Sequence, residues 1–186
     1  MSVSTEKSAL RKYLLEKRDA TSAELRDIAS KRIHENLKKN SSFIDAKNIA
    51  CYSPIGSEVN SHDIMLNILE QGKNLLLPRI IDDNIQFYIV PNLEKLEKGS
   101  FEIMEPKDSC EKAKKIDCVL IPTVGASKLG VRLGYGKGYY DRFLSSTNAV
   151  KISLTYSKQI VKSIPSDSHD IKIDWIVTED GNVKIT

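Results

Sequence analysis

Three glycines, a lysine and an arginine stand close together in the stretch RLGYGKGYYD, residues 132–141. Glycine loses more conformational freedom on folding than any other residue, so three within five positions carry a cost that a close backbone approach would offset. Backbone N–H groups beside a helix N-terminus, together with the charges of Arg132 and Lys137, are suited to binding phosphate oxygens. The stretch therefore predicts a phosphate-binding loop. The alternative is a flexible connection whose basic residues are only solvated.

Two aspartates are candidate metal ligands near this loop. Asp141 lies in the first helical turn after it, and Asp174 immediately precedes the terminal strand. Mg²⁺ prefers one or two carboxylates plus substrate phosphates, so a carboxylate beside a triphosphate has an evident use. For either aspartate alone, a capping or loop role is the simpler interpretation. The loop itself matches neither the Walker A spacing nor the dinucleotide fingerprint.

The elements that must position these residues alternate between helices and apolar runs. The first helix is predicted over residues 5–18, with Arg18 outside its apolar face. Thr21 and Glu24 form a capping box that begins the second helix. The apolar face of that second helix is predicted to comprise Leu25, Ile28, Ala29, Ile33 and Leu37. Further helices are predicted from about residue 61 and after the loop, and strands at residues 49–52, 75–77, 85–90, 117–125, 149–156 and 174–179.

Continuous apolar strands separated by helices predict one α/β domain over residues 1–186. We expect a three-layer fold with a mostly parallel central sheet flanked by helices. Ligands in such folds bind at the carboxyl ends of the strands. The glycine loop, residues 53–58 and the residues after Tyr156 all follow predicted strands, so we expect them to meet at that edge.

Composition excludes several classes of protein. The 186 residues are 40% hydrophobic and 28% charged, which is typical of a globular domain rather than of a disordered or disulfide-based chain. A net charge of +3 is too small to indicate a nucleic-acid partner. The three cysteines form no CxxC pair, which favours reduced thiols in a cytosol. The sequence shows no apolar core of a signal peptide and no apolar run near the ~18 residues that a membrane span needs. We expect a cytoplasmic monomer with no membrane partner.

Several stretches together resemble the 5-formyltetrahydrofolate cyclo-ligase family, also called methenyltetrahydrofolate synthetase. They are RLGYGKGYYDRFL, TYSKQIVKSIPSDSHDIKIDWIVTE, KSALRKYLLEKR, YSPIGSEVNS and GSFEIMEP, and they cover nearly the whole chain in the order of the family. One segment departs from the family pattern. After Pro122 the family usually continues with a small residue, an apolar pair and Phe-Asp, whereas this chain has Thr123 to Lys128 with a lysine in place of an acid.

The resemblance implies an α/β fold and a Mg-ATP-dependent closure of 5-formyltetrahydrofolate to 5,10-methenyltetrahydrofolate, with release of ADP and phosphate. It implies catalytic roles for Arg132 and Lys137. The implied ATP-binding residues are Lys7, Arg11, Arg132, Gly134, Tyr135, Gly136, Lys137, Gly138, Tyr139 and Tyr140. The implied folate-binding residues are Ser53, Glu58, Tyr135, Gly136 and Tyr156. Asp141 and Asp174 match the magnesium positions.

That chemistry agrees with the residues present. The oxygen of an N-formyl amide is a poor leaving group, and phosphorylation by ATP converts it into a good one before N10 attacks the carbon. Phosphoryl transfer depends mainly on positioning and charge neutralisation, so no nucleophilic triad is needed, and the sequence suggests none. Three alternatives stay open: an isomerase or transferase acting on a sugar phosphate or CoA thioester, a non-enzymatic nucleotide- or folate-binding module, and a nucleic-acid binder.

Overall fold

The computed structural model describes residues 2–99 and 103–186. Within these ranges the helices are α1 (Val3–Asp19), α2 (Ala23–Leu37), α3 (Ser41–Asp45), α4 (His62–Glu70) and α5 (Tyr139–Leu144). The strands there are β1 (Asn48–Ala50), β2 (Asn74–Ile81), β3 (Asn84–Ile89), β4 (Leu96–Lys98), β5 (Met104–Pro106), β6 (Cys118–Pro122), β7 (Gly125–Ser127), β8 (Arg132–Leu133), β9 (Val150–Leu154), β10 (Ile160–Val161), β11 (Trp175–Thr178) and β12 (Gly181–Lys184). Ser100, Phe101 and Glu102 of the GSFEIMEP stretch lie outside the described residues.

The central sheet of the described part has the strand order β12-β11-β9-β6-β1-β2-β3. The five inner strands run parallel, whereas β3 and β12 pair antiparallel at the two edges. The predicted mostly parallel α/β sheet is therefore confirmed. Parallel neighbours need a crossover connection, which is why helices separate these strands along the chain.

Both faces of the sheet are covered, because alternate residues of the buried strands point to opposite sides. Leu75 and Leu77 of β2 belong to the core cluster that contains Ile33 of α2 and Ile64 of α4. Leu76, between them, belongs to a second cluster that contains Leu144 of α5. The helices thus form two outer layers, and this is the three-layer arrangement expected from the apolar runs.

The start of α2 differs from the prediction. Ser22, not Thr21, is the N-cap residue, and its side chain accepts a hydrogen bond from the Leu25 backbone N–H. The hydroxyl of Thr21 instead donates to the carbonyl of Lys17 at the end of α1. The predicted apolar face is also only partly buried: Ile33 and Leu37 lie in the core, whereas Leu25 is 56% exposed and Ile28 45% exposed.

A small second sheet, in the order β10-β7-β8, continues the chain beyond the carboxyl end of β6. Its strand β8 leads directly into the glycine loop, so this sheet determines where the loop begins. Gly125 of β7 lies under α1, where an added Cβ would come within 2.4 Å of the Leu14 side chain. The close contact docks α1 against the strands that carry the loop.

Two further expectations concern cysteines and membranes. Cys51 and Cys118 are buried free thiols, as predicted, and Cys110 is a partly exposed free thiol. In the part of the chain that the structure describes, no helix combines the length and apolar character needed to cross a membrane.

Candidate active site

The glycine loop connects β8 to α5 at the carboxyl end of the sheet. Gly136 has φ +96° and Gly138 has φ +69°, a left-handed conformation that side chains rarely adopt. Gly138 is the N-cap residue of α5, so the helix begins at the loop. The first backbone N–H groups of α5 have no carbonyl partner within the helix and point toward the loop. Glycine is required at these two positions by backbone conformation, which explains part of the cost recognised in the sequence.

Two arginines lie against the loop backbone. A Cβ added to Gly134 would lie 2.6 Å from Nη1 of Arg132, and one added to Gly136 would lie 3.1 Å from Cζ of Arg11. Arg11 also donates from Nε to the carbonyl of Gly134 at 2.7 Å. The close approach expected from the glycines is thus made by guanidinium groups, which line the loop with positive charge.

Arg132 is buried, with 3% of its side chain exposed, and pairs with Asp141 at 3.0 Å. Its Nη1 lies 3.5 Å from the carbonyl of Pro122, and its Cζ lies 5.8 Å from the ring centroid of Tyr140. Nε of Arg132 is buried and has no hydrogen-bond partner among the described residues. A buried guanidinium with an unused donor is suited to binding an additional anion.

Helix α1 presents a basic stripe to this region. Lys7, Arg11, Leu14 and Arg18 follow at i, i+4, i+7 and i+11, the spacing of residues on one helix face. Lys7 lies next to a loop from the C-terminal part of the chain, where its Nζ is 2.9 Å from Asp167 and 2.5 Å from Asp170. Burial opposes the charge of Lys7, but these hydrogen bonds outweigh it and raise the Lys7 pKa. The predicted ATP ligand is therefore engaged with two carboxylates.

The segment after β1 carries the predicted folate-binding residues. Ser53 donates to the carbonyl of Met104 at 2.5 Å, and Tyr156 donates to the carbonyl of Glu58 at 3.1 Å. Glu58 is 6% exposed, and its Oε2 accepts from the backbone N–H of Ile55 at 2.8 Å. Its Oε1 is buried without a hydrogen-bond partner among the described residues.

Burial raises the pKa of Glu58 to about 7, although the Ile55 N–H, the charge of Arg18 and the Tyr135 hydroxyl oppose the rise. A carboxyl group with such a pKa exchanges its proton near neutral pH. Together with the unpaired Oε1, it can accept from or donate to a heterocyclic ligand. The geometry therefore joins a basic loop to a buried hydrogen-bonding carboxyl group.

Tyr135 stands between these two parts of the site. It belongs to the glycine loop, yet its hydroxyl accepts a hydrogen bond from Nη2 of Arg18 at 2.6 Å, and its ring is partly exposed. Arg18 is 4% exposed, although the sequence analysis placed it outside the apolar face of α1. The signal that would have identified Arg18 is its i+7 spacing from Arg11 on the basic stripe.

The remaining loop residues differ in exposure. Lys137 is exposed, and its carbonyl accepts from Nη1 of Arg142 at 3.1 Å. The hydroxyl of Tyr139 lies 3.4 Å from Asp83, in the β2–β3 turn. Tyr140 is partly buried, and burial raises the pKa of its hydroxyl. Lys128, the departure from the family pattern, lies in the exposed turn between β7 and β8.

Asp174 does not lie near Asp141. Its Oδ2 accepts from the backbone N–H of Lys151 at the start of β9, at 2.8 Å. Pro122, beside which Arg132 and Asp141 pair, is in register with Leu154, three residues further along β9. Three strand residues span about 10 Å, which is too far for two carboxylates to ligate one ion. The idea that both aspartates face the loop is therefore wrong for this structure, and only Asp141 lies there.

Of the two aspartates predicted as metal ligands, only Asp141 lies beside the loop, and one carboxylate is too few ligands to hold a metal ion without other donors. In the described ranges, no three His, Cys, Asp or Glu side chains group as a ready-made metal site. Asp141 has 26% of its side chain exposed, beside the loop. This donor set fits Mg²⁺ only with phosphate oxygens as further ligands, the usual arrangement of magnesium in nucleotide sites.

A groove of about 200 Å³ adjoins the site between α1 and α2. Its lining includes the exposed Leu25 and Ile28, the basic Arg18 and Lys158, and Tyr156. The groove explains why part of the α2 apolar face is not covered by the core.

The fold and this edge of the sheet define an α/β protein whose candidate site combines a basic glycine loop with a buried carboxyl group. The sequence model of the 5-formyltetrahydrofolate cyclo-ligase family matches residues 3–179. The chain is similar to the 5-formyltetrahydrofolate cyclo-ligases of Mycoplasma genitalium, at 34% identity over 92% of this chain and 97% of that one, and of mouse, at 28% identity over 97% of each.

Solved structures agree with these sequence comparisons. The 5,10-methenyltetrahydrofolate synthetase of Aquifex aeolicus superposes with a TM-score of 0.88 at 36% identity, covering 96% of this chain and 92% of that one. That of Mycoplasma pneumoniae gives 0.76 at 31% identity, covering 94% and 99%. The chain belongs to the 5-formyltetrahydrofolate cyclo-ligase family. It is an enzyme, and the alternatives of a binding module, a sugar-phosphate or CoA enzyme and a nucleic-acid binder are set aside.

Proposed function

We propose that this enzyme closes 5-formyltetrahydrofolate to 5,10-methenyltetrahydrofolate at the expense of ATP, releasing ADP and phosphate. The observation that carries the proposal is the position of the glycine loop. Its backbone is lined by Arg11 and Arg132, and its Tyr135 lies close enough to Glu58 to interact with that carboxyl group. One loop therefore adjoins both a region suited to phosphates and a region suited to a polar heterocycle, as a transfer between two bound substrates requires.

The proposed reaction has two steps. The formyl oxygen attacks the γ-phosphorus of ATP, the bond from that phosphorus to the bridging oxygen breaks, and ADP leaves. N10 then attacks the activated formyl carbon, the C–O bond breaks, and phosphate carries away the oxygen. N10 loses its proton, and the remaining cation is shared between N5 and N10 through the methenyl carbon.

Positive side chains of the loop would neutralise the phosphates. Arg132 is buried beside the loop, and its Nε has no hydrogen-bond partner within residues 2–99 and 103–186; Lys137 is exposed at the tip of the loop. Backbone N–H groups at Gly136, Gly138 and the start of α5 would bind phosphate oxygens, as helix N-termini do. Lys7 and Arg11 extend the positive surface along α1. Lys7 would exchange its contacts with Asp167 and Asp170 for a phosphate oxygen.

Magnesium would be held by Asp141 together with phosphate oxygens of ATP. When bound, the ion would reduce the negative charge on the phosphates and align them. Asp141 is paired with Arg132, so the same carboxylate would also keep that arginine oriented toward the loop.

Folate would lie between Glu58, Tyr135 and Tyr156. Oε1 of Glu58 is buried and has no hydrogen-bond partner in the part of the chain that the structure describes, so it is available for the pterin ring. The hydroxyl of Tyr156 donates to the carbonyl of Glu58. The hydroxyl of Ser53 donates to the carbonyl of Met104 and so anchors the start of the segment of residues 53–58. The groove beyond Tyr156 leaves room for the remainder of the substrate.

The activity can be measured directly from the absorbance of methenyltetrahydrofolate. Protein, magnesium, ATP and 5-formyltetrahydrofolate should give product with one ADP released per product formed. Samples lacking ATP or magnesium should give no increase. A flat trace from folded protein in the complete mixture would refute the proposal, and product without ADP release would refute the role of ATP.

We also propose that residues 1–186 act as a monomer and as a single domain. The helix α1, the sheet and the glycine loop of one chain meet at one site, so a single chain carries the residues that the proposed reaction uses. Light scattering across a range of protein concentrations should give a constant mass near 20.9 kDa. A concentration-dependent rise in mass would contradict this.

A further inference from the structure

Arg18 is a buried charged residue with two partners from distant parts of the chain. Its Nε donates to Oγ of Ser57 at 2.8 Å, and its Nη2 donates to the hydroxyl of Tyr135 at 2.6 Å. Its Cζ lies 5.7 Å from the centroid of the Tyr135 ring. Ser57 in turn donates to the carboxylate of Asp19. The guanidinium is therefore held in one orientation by residues from both sides of the site.

Such burial has to be offset by well-formed contacts. A guanidinium removed from water is costly unless it is hydrogen-bonded, and loss of a partner leaves an uncompensated polar group. Core packing does not explain the presence of Arg18, because an apolar residue would fill the same position without that cost. What Arg18 provides instead is a planar group that joins two polar side chains at fixed angles.

The two partners belong to the two substrate regions of the proposed function. Ser57 precedes Glu58 in the proposed folate segment, and Tyr135 lies in the glycine loop. Tyr135 is 44% exposed, and its hydroxyl is anchored by the contact with Arg18. Because Tyr135 accepts from Arg18, it retains its own proton for a second contact, and Glu58 lies close enough to influence its pKa.

We propose that Arg18 is a positioning residue that fixes the position of the glycine loop relative to residues 53–58, so that binding of either substrate favours binding of the other. This inference rests on the proposed function. Arg18 touches neither reacting group and acts through Tyr135 and Ser57. The coupling is reciprocal by thermodynamic necessity: nucleotide should tighten folate binding by the same factor by which folate tightens nucleotide binding.

The main experiment measures binding and turnover in Arg18→Met. The Kd of 5-formyltetrahydrofolate is determined by calorimetry with and without a non-hydrolysable ATP analogue, at magnesium saturation. In the unmodified enzyme the analogue should lower this Kd, and in Arg18→Met it should not. The KM values for both substrates should rise about 10- to 100-fold, the range expected when a hydrogen bond to a charged group is lost. The kcat at saturation should change less.

A second readout is the pH profile. Glu58 is faced by Arg18 from α1, by Tyr135 and Tyr140 from the loop and α5, and by Tyr52 from the segment after β1. Of these, Arg18 carries a positive charge, which lowers the Glu58 pKa against burial. The midpoint of the folate-binding pH profile should therefore move upward in Arg18→Met. Arg18→Lys, which keeps the charge but not the planar fork, should restore the midpoint while recovering KM only in part.

Controls separate positioning from stability. Ile33→Ala in α2 removes a fully buried side chain of the main core and should lower Tm without changing the coupling or the pH midpoint. Should Arg18→Met fail to fold, Tyr135→Phe and Arg18→Lys test the same contacts with smaller changes. The inference is overturned if these variants keep the wild-type coupling and KM values. A wild-type enzyme that forms no product would refute the proposed function instead, whatever the binding data show.

Discussion

Gly136→Ala tests whether the loop conformation itself is needed for nucleotide binding. Gly136 has φ +96°, and an added Cβ would lie 3.1 Å from Cζ of Arg11. A side chain at such a φ costs about 1–2 kcal/mol. Arg11 cannot move freely to relieve the contact, because its Nε is bonded to the carbonyl of Gly134 at 2.7 Å. The observed loop should therefore become about 2 kcal/mol less favourable.

That cost translates into affinity. If the alanine loop relaxes to another conformation when free, ATP must restore the binding conformation, and about 2 kcal/mol corresponds to a roughly 30-fold weaker Kd. The sheet does not depend on the loop for its packing, and a domain of ordinary stability tolerates a change of this size. Calorimetric titration with a non-hydrolysable ATP analogue should show the weaker Kd, and KM for ATP should rise in parallel.

Gly72→Ala is the matched control. Gly72 follows α4 with φ +67°, and an added Cβ there would meet no atom within 4 Å. It should lower stability by a similar backbone cost but leave the Kd for nucleotide unchanged. If Gly136→Ala bound nucleotide within threefold of wild type, the loop would not need this conformation, and its role as a phosphate cradle would be refuted.

Other predictions address charge and pH. Lys137→Ala should lower kcat about 100-fold, on the scale of lost electrostatic stabilisers, with little change in Tm because the residue is exposed; near-normal turnover would show that it is only solvated. Asp141→Asn should raise the magnesium concentration for half-maximal activity, whereas Asp174→Asn should not, because Asp174 lies at the amino ends of β9 and β11, away from the loop; a shifted magnesium curve in Asp174→Asn would contradict this placement. Glu58, whose ordinary pKa of 4.5 is raised to about 7, favours folding while protonated, and that contribution is lost as pH rises from about 4.5 to about 7. Glu58→Gln removes this ionisable group. In urea unfolding, the free energy of unfolding of Glu58→Gln relative to wild type should therefore be higher at pH 8 than at pH 5, by up to about 3 kcal/mol. An equal difference between the two proteins at both pH values would disprove the raised pKa.

Much of the architecture follows from local patterns in the sequence. Continuous apolar runs such as residues 118–122 predicted buried parallel strands, and the strand order places them inside the sheet. The loop glycines predicted an unusual backbone, as the positive φ angles of Gly136 and Gly138 confirm. These features depend on residues adjacent in the chain, which is why periodicity and conformational preference are sufficient to predict them.

The tertiary structure alone decided which side chains meet. Arg18 lies outside the predicted apolar face of α1, yet it is buried because Ser57 and Tyr135, 39 and 117 residues away in the chain, converge on it. Asp174 reads as a partner of Asp141, but the register of β11 with β9 places it at the other end of the sheet. No local pattern encodes these outcomes, because they depend on strand register and helix docking between distant segments. The sequence by itself therefore determined the elements and the family resemblance, and the packing of α1 against the loop decided how the candidate site is assembled.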